Sequence, residues 1–185
     1  MSKDNLLFLG TFFILISFLL FMNVIYSYYF NLYLNVGSYI APLFISLFIG
    51  TGLFLIKIEK KKVSIFNKIL IVVFGYFFFP LIISLPYYLS IYNLTFINCY
   101  FEAISGFTST GFTIFENIKH IDQSLIIWRS TSQWIGGLYF LFSIILLIDI
   151  FDDNLKKSLT NFISFNSSEV FKQFFKLIIV YIILT

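Results

Sequence analysis

Charge is scarce in this 185-residue chain: 11% of its residues are Asp, Glu, Lys or Arg, against about 25% in an average soluble domain. None of them falls between Asn5 and Ile56. A water-facing surface cannot be built from such a segment, whereas a membrane helix needs roughly 20 apolar residues. The single cysteine, Cys99, excludes an intrachain disulfide and a multi-cysteine metal site. The single histidine, His120, has no second histidine to share a zinc ion or to pair in catalysis. The net charge of +3 is spread over short loops, so no basic patch for phosphates exists and nucleic acid is excluded as a partner. A cleavable signal peptide is also disfavoured: the apolar core from Leu6 to Tyr26 exceeds the usual h-region, and no A-x-A site follows it.

What is present is hydrophobic, at 59% of residues, and comes in four long runs: Leu6 to Tyr26, Val36 to Ile56, Ile69 to Tyr88, and Leu125 to Ile148, the last interrupted by Arg129. Each predicts a spanning helix, so the expected fold class is all-α and polytopic. Between the first two runs lies "SYYFNLYLNVGS", charge-free and rich in the tyrosines that favour a headgroup interface. Between the second and third lies "KIEKKK", Lys57 to Lys62, which the positive-inside rule assigns to the cytoplasm. The N-terminus is then cytoplasmic too, residues from about Ser90 to Gln123 begin and end outside, and Lys156 and Lys157 return inside. Pro42, Pro80 and Pro86 read as kink or boundary residues.

Asn93 to Phe107, "NLTFINCYFEAISGF", is too short to span but long enough for a re-entrant helix, expected at about Leu94 to Ser105. The strip "TSTG", Thr108 to Gly111, follows it. Backbone that is not helical is tolerated at membrane depth only where protein buries it or where it lines a water-filled cavity. A dehydrated potassium ion needs oxygens that replace its water shell, and backbone carbonyls in an extended strip supply them. The carbonyls of Thr108, Ser109, Thr110 and Gly111 are the candidates, with Gly111 free to adopt a positive φ. The short helix would aim its partial negative charge at such an ion. An ordinary polar turn between two helices is the competing explanation of the same composition.

These residues carry a resemblance. "FEAISGFTSTGFT", Phe101 to Thr113, followed by "WRSTSQWIGG", Trp128 to Gly137, resembles the first pore-loop repeat of the Trk/Ktr/HKT potassium transporters, above all the TrkH-type membrane subunit. The resemblance implies four helix–pore-loop–helix units around one pore, preceded by an extra two-helix hairpin. It divides the chain into a hairpin at 1–62, the first repeat at 63–151, and a cytoplasmic connection with the start of a second repeat at 152–185. It further implies a selectivity filter at Thr108, Ser109, Thr110 and Gly111, potassium as substrate, no covalent cofactor, and no metal beyond potassium. Its expected partners are membrane lipid, the remaining pore repeats in the same or a separate chain, and a cytosolic nucleotide-binding regulatory subunit. Ser109 and Phe112 depart modestly from the family pattern, which leaves the degree of potassium over sodium selectivity open.

Glu102 and Arg129 are ionisable residues next to the bilayer, where isolated charges are costly, so they are expected to pair and brace the filter; separate solvation is the alternative. Gly136 and Gly137 allow close helix packing or a hinge. Trp128 and Trp134 read as interface and packing aromatics. An intramembrane protease would require Ser105 or Asp149 to find a partner that the sequence does not offer, so no enzyme is expected. The expected function is monovalent-cation transport across the plasma membrane by a multi-pass Trk-type system. One strip supplies about a quarter of a fourfold cage, and the 12 residues from Phe174 to Thr185 are too short to span, so a fragment or one piece of the pore is expected. The alternative is a non-conducting remnant or assembly subunit.

Overall fold

A computed structural model describes residues 3–56, 65–117, 121–147 and 178–183. Five helices follow one another: α1 (Lys3–Tyr29), α2 (Val36–Leu55), α3 (Ile65–Tyr88), α4 (Phe96–Phe107) and α5 (Gln123–Leu147), with a short 3-10 turn at Tyr33–Asn35 before α2. Residues 178–183 are also helical, and no strand occurs among the described residues. The expected basic loop at Lys57 to Lys62, His120, and the charged residues from Asp149 to Lys157 lie outside the described residues.

Apolar runs become helices because a bilayer offers no water to unpaired backbone groups. Three helical stretches, Leu6–Tyr29, Tyr33–Leu55 and Phe66–Tyr88, are long and apolar enough to cross a membrane. The fourth expected span forms α5, a helix of 25 residues with no charged residue after Arg129. Its first half carries Gln123, Ser124, Arg129, Ser130, Thr131, Ser132 and Gln133, a composition explained below by what Arg129 and Ser132 touch.

α1 and α2 form an antiparallel hairpin closed by small residues. A Cβ built on either Gly10 or Gly50 would stand 3.2 Å from the other's carbonyl oxygen, and Ser17 Oγ donates to the Leu43 carbonyl at 3.2 Å. Such seams let membrane helices approach without a hydrophobic driving force. α5 runs antiparallel to α3, with Trp128 Nε1 donating to the Ile83 carbonyl at 3.0 Å and Tyr139 Oη to the Val72 carbonyl at 2.9 Å. Pro80 and Pro86 stand inside α3. Phe77 and Ile83, the residues three positions before each, have carbonyls that receive side-chain donors, Tyr100 Oη at 3.1 Å and Trp128 Nε1 at 3.0 Å. Neighbouring helices thus support the turns that the proline rings disturb.

The core gathers at Tyr139, which no solvent reaches. Its ring centroid lies 5.0 Å from Phe12, 5.2 Å from Phe79 and 5.4 Å from Phe107, joining α1, α3 and α4 to α5. Gly75 makes the fit possible, since a Cβ there would overlap the Tyr139 hydroxyl.

The course of α4 positions the site. Its first residue, Phe96, packs on Tyr88 at the end of α3, with centroids 5.8 Å apart. Its last, Phe107, packs on Tyr76, also at 5.8 Å. Twelve residues of α3 separate those levels, about 18 Å of helix. The chain then returns: Phe115 faces Tyr92 at 6.4 Å, and the Asp122 N–H donates to Tyr92 Oη at 2.8 Å. A short helix therefore descends beside α3, turns, and comes back to the level at which it began.

Candidate functional site

The turn at the bottom of this descent is the strip Thr108 to Gly111. α4 ends at Phe107, and Ser109 takes the left-handed conformation, with φ +56°. The Ser109 N–H donates to the Gly106 carbonyl at 2.9 Å and the Thr110 N–H to the Ser105 carbonyl at 3.1 Å. Those two bonds define a Schellman cap, in which a left-handed residue lets the chain close over the last helical carbonyls. Gly111 follows at φ +83°. The positive φ expected at Gly111 thus has a companion at Ser109, where glycine is usual and serine is not. Ahead of the strip, Thr95 caps the start of α4, its Oγ1 accepting from the Asn98 N–H at 3.4 Å.

Hydroxyls fasten the turn from within. Thr108 Oγ1 donates to the Ile104 carbonyl at 2.8 Å, Thr110 Oγ1 to the Ser105 carbonyl at 3.2 Å, and Ser105 Oγ to the Phe112 carbonyl at 2.6 Å. Residues 108–112 are exposed. Among the described residues, no donor reaches the carbonyls of Thr108, Ser109 or Thr110.

Glu102 is wholly buried, on the face of α4 turned to α5. Its Oε1 accepts from Arg129 Nε at 2.5 Å, and its Oε2 accepts from the Ile114 N–H and Thr113 Oγ1, each at 3.0 Å. Arg129 is 15% exposed, and its Nη2 donates to the carbonyls of Gly111 and Phe112, both at 3.1 Å. A buried carboxylate is tolerable only when paired and hydrogen-bonded, and here every partner belongs to the strip's return limb or to Arg129. The four expected carbonyls consequently divide: those of Thr108 to Thr110 are open, while that of Gly111 carries a guanidinium bond.

Gly136 lies directly behind the turn, where a Cβ would fall onto the Phe107 carbonyl. Gly106 is matched to Ser132, whose Oγ a Cβ there would strike. Gly137 faces elsewhere, toward the Tyr181 hydroxyl of the 178–183 helix, and Tyr181 Oη donates to the Trp134 carbonyl at 3.2 Å. Of the two tryptophans, Trp128 is buried and Trp134 packs on Tyr181 at 5.2 Å. Cys99 is a buried free thiol. The hydroxyl bonds of Ser105, the left-handed conformation of Ser109, and the contacts of Thr113 and of Gly106 with Ser132 were not anticipated from the sequence. The signal for the first two was the Ser-Gly break itself, which marks a helix end and hence a cap.

No family model matches the chain. Three curated proteins do. Over 110 residues, 58% of this chain and 23% of the relative, it is 28% identical to an uncharacterised cation transporter of Methanocaldococcus jannaschii. Over 70 residues, 37% of this chain and 14% of the relative, it is 36% identical to the Trk system potassium uptake protein TrkG of Escherichia coli K12. Over 55 residues, 30% of this chain and 11% of the relative, it is 40% identical to TrkI of Halomonas elongata, also named a Trk system potassium uptake protein. In these stretches the chain is similar to Trk system potassium uptake proteins. The matched stretches span less than a quarter of the length of each of these three relatives.

Proposed function

We propose that the chain supplies one helix–pore-loop–helix unit of a Trk-type pathway that carries potassium, or monovalent cations more broadly, across the plasma membrane. The observation that carries this reading is the descent and return of α4 with its strip, whose carbonyls at Thr108, Ser109 and Thr110 lie open on an exposed face. Open carbonyls at the foot of a short helix are suited to replace an ion's hydration shell. Arg129 and Glu102 hold the return limb, and Gly136 lets α5 back the turn closely. Three to four carbonyls from one unit make only part of a cage, so the remaining ligands come from further units, in the same or a separate chain. The assignment of α1 and α2 to an extra hairpin, a cytoplasmic N-terminus, and a cytosolic nucleotide-binding regulator belong to the same proposal.

A second reading, a non-conducting assembly subunit, is favoured by one observation. Arg129 places a positive group on the Gly111 carbonyl, next to where a cation would bind. Potassium-limited growth of an uptake-deficient host separates the two. The gene in its native context, flanking coding sequence included, is expected to restore growth, and the chain expressed alone is not. Failure of the native context to restore growth, with the protein present in the membrane, would favour the assembly role.

A further inference from the structure

Asn35 ends the turn between α1 and α2 and is 2% exposed. Its side chain makes two bonds of opposite polarity. Oδ1 accepts from the Ile91 N–H at 3.1 Å, and Nδ2 donates to Asp122 Oδ2 at 2.8 Å. Ile91 lies in the connection that enters α4, and Asp122 lies immediately before α5. One amide from the hairpin therefore bridges the entry and the exit of the descending loop. Only an amide carries a donor and an acceptor at this separation; a carboxylate lacks the donor and an aliphatic side chain lacks both.

The surroundings are built around that bridge. Ser124 Oγ donates to the same Asp122 Oδ2 at 2.8 Å, Tyr39 Oη donates to Ser124 Oγ at 3.0 Å, and Asn23 Nδ2 donates to the Ser124 carbonyl at 3.3 Å. Tyr39 and Ser124 are inaccessible to solvent. Each bond from Asn23, Asn35 and Tyr39 runs from the hairpin to the loop's two ends, and none reaches the strip. The strip nonetheless depends on those ends. Glu102 hangs on α4 below the Ile91 connection, and Arg129 rides on α5 about two turns below Asp122. Separation of the ends would draw apart the carboxylate and guanidinium that hold residues 111–114.

We propose that Asn35 is a positioning residue for the strip: the α1–α2 hairpin clamps the two ends of the loop through this amide and so sets the register of Glu102 against Arg129. The consequence for ion passage rests on the transport reading, whereas the order of the strip does not, so the two can fail separately.

The test is amide hydrogen exchange of the purified 185-residue chain in detergent micelles. In N35D the donor to Asp122 is lost and two carboxylates face each other. Exchange across residues 105–117 is expected to rise about tenfold while peptides of α1 and α2 keep the parent rate, as a local opening requires. In the N35D/D122N double variant the pair is restored with its polarity reversed: the amide now at position 122 donates to the carboxylate now at position 35, which still accepts from the Ile91 N–H. Parent-like protection of residues 105–117 is expected to return. An unchanged strip in N35D, a rise shared equally by α1 and α2, or no recovery in the double variant would each overturn the proposal. If N35D fails to accumulate, the double variant decides alone: parent-like protection supports the clamp, and raised exchange or failure to accumulate overturns it.

Discussion

Arg129 and Glu102 bind each other and also grip the strip's return limb through backbone groups of opposite kind. Glu102 accepts from the Ile114 N–H, while Arg129 donates to the carbonyls of Gly111 and Phe112. The pair is therefore polarised by its surroundings. Each charge sits where the neighbouring peptide groups require its sign.

Exchange of the two charges should consequently fail. In E102R/R129E a guanidinium would face the Ile114 N–H and a carboxylate would face two carbonyls. The double variant is expected to be no more stable than the worse single variant, although Coulomb attraction between the two positions is retained. Either single truncation to Ala should cost about 3–5 kcal/mol, because the partner's charge is left buried or nearly so. Arg129→Lys should lose much of that as well, since an ammonium cannot reproduce the guanidinium's fork to three oxygens. Denaturant unfolding in mixed micelles measures each; full rescue by the exchange would show that the backbone contacts contribute nothing.

Ser109→Gly should stabilise the chain. The left-handed conformation at this cap costs a residue with a Cβ roughly 1 kcal/mol, and glycine removes that cost without touching the two capping bonds. Ser109→Val should shift unfolding in the opposite direction by a larger amount, because β-branched side chains tolerate positive φ worst. The same unfolding measurement checks both.

Gly136 and Gly137, adjacent in sequence, should respond differently to alanine. At Gly136 the new methyl falls on the Phe107 carbonyl, a backbone atom at the end of α4 that cannot yield without moving the strip. At Gly137 it meets the end of the Tyr181 side chain, which can rotate away. Gly136→Ala should cost about 1–3 kcal/mol or more, and Gly137→Ala much less. Equal effects would show that α5 does not press on the turn as closely as the geometry indicates.

Much of the layout was legible in the sequence because it depends on local composition. Charge-free runs marked α1 and α2, a run too short to span marked α4, and two ionisable residues beside the bilayer pointed to each other. The missed features are those that local composition does not encode. Asn35 meets Ile91 and Asp122 across wide chain separations, and only the rule that buried polar groups find partners would have singled it out. The positive φ of Ser109 was not anticipated because glycine is the familiar residue in that conformation, and Gly111 stood nearby to absorb the expectation. The expectation that Arg129 pairs with Glu102 holds, whereas the contact of Ser132 with Gly106 depends on how α5 packs on α4 and is not encoded in local composition.

The central claim is that the carbonyls of Thr108 to Thr110 coordinate a transported cation while Gly111 sets the turn that presents them, and Gly111→Ala tests it most directly. Open space surrounds the position where the new methyl would lie, so the substitution acts through the φ of +83° and not through a clash. Rubidium uptake should be measured in potassium-uptake-deficient cells carrying the gene in its native context, with membrane levels of parent and variant matched. The account predicts that Gly111→Ala lowers uptake at least about tenfold, a loss of some 1.4 kcal/mol in the transport step, and weakens preference for rubidium over sodium. Unchanged uptake and unchanged preference in that variant would contradict it.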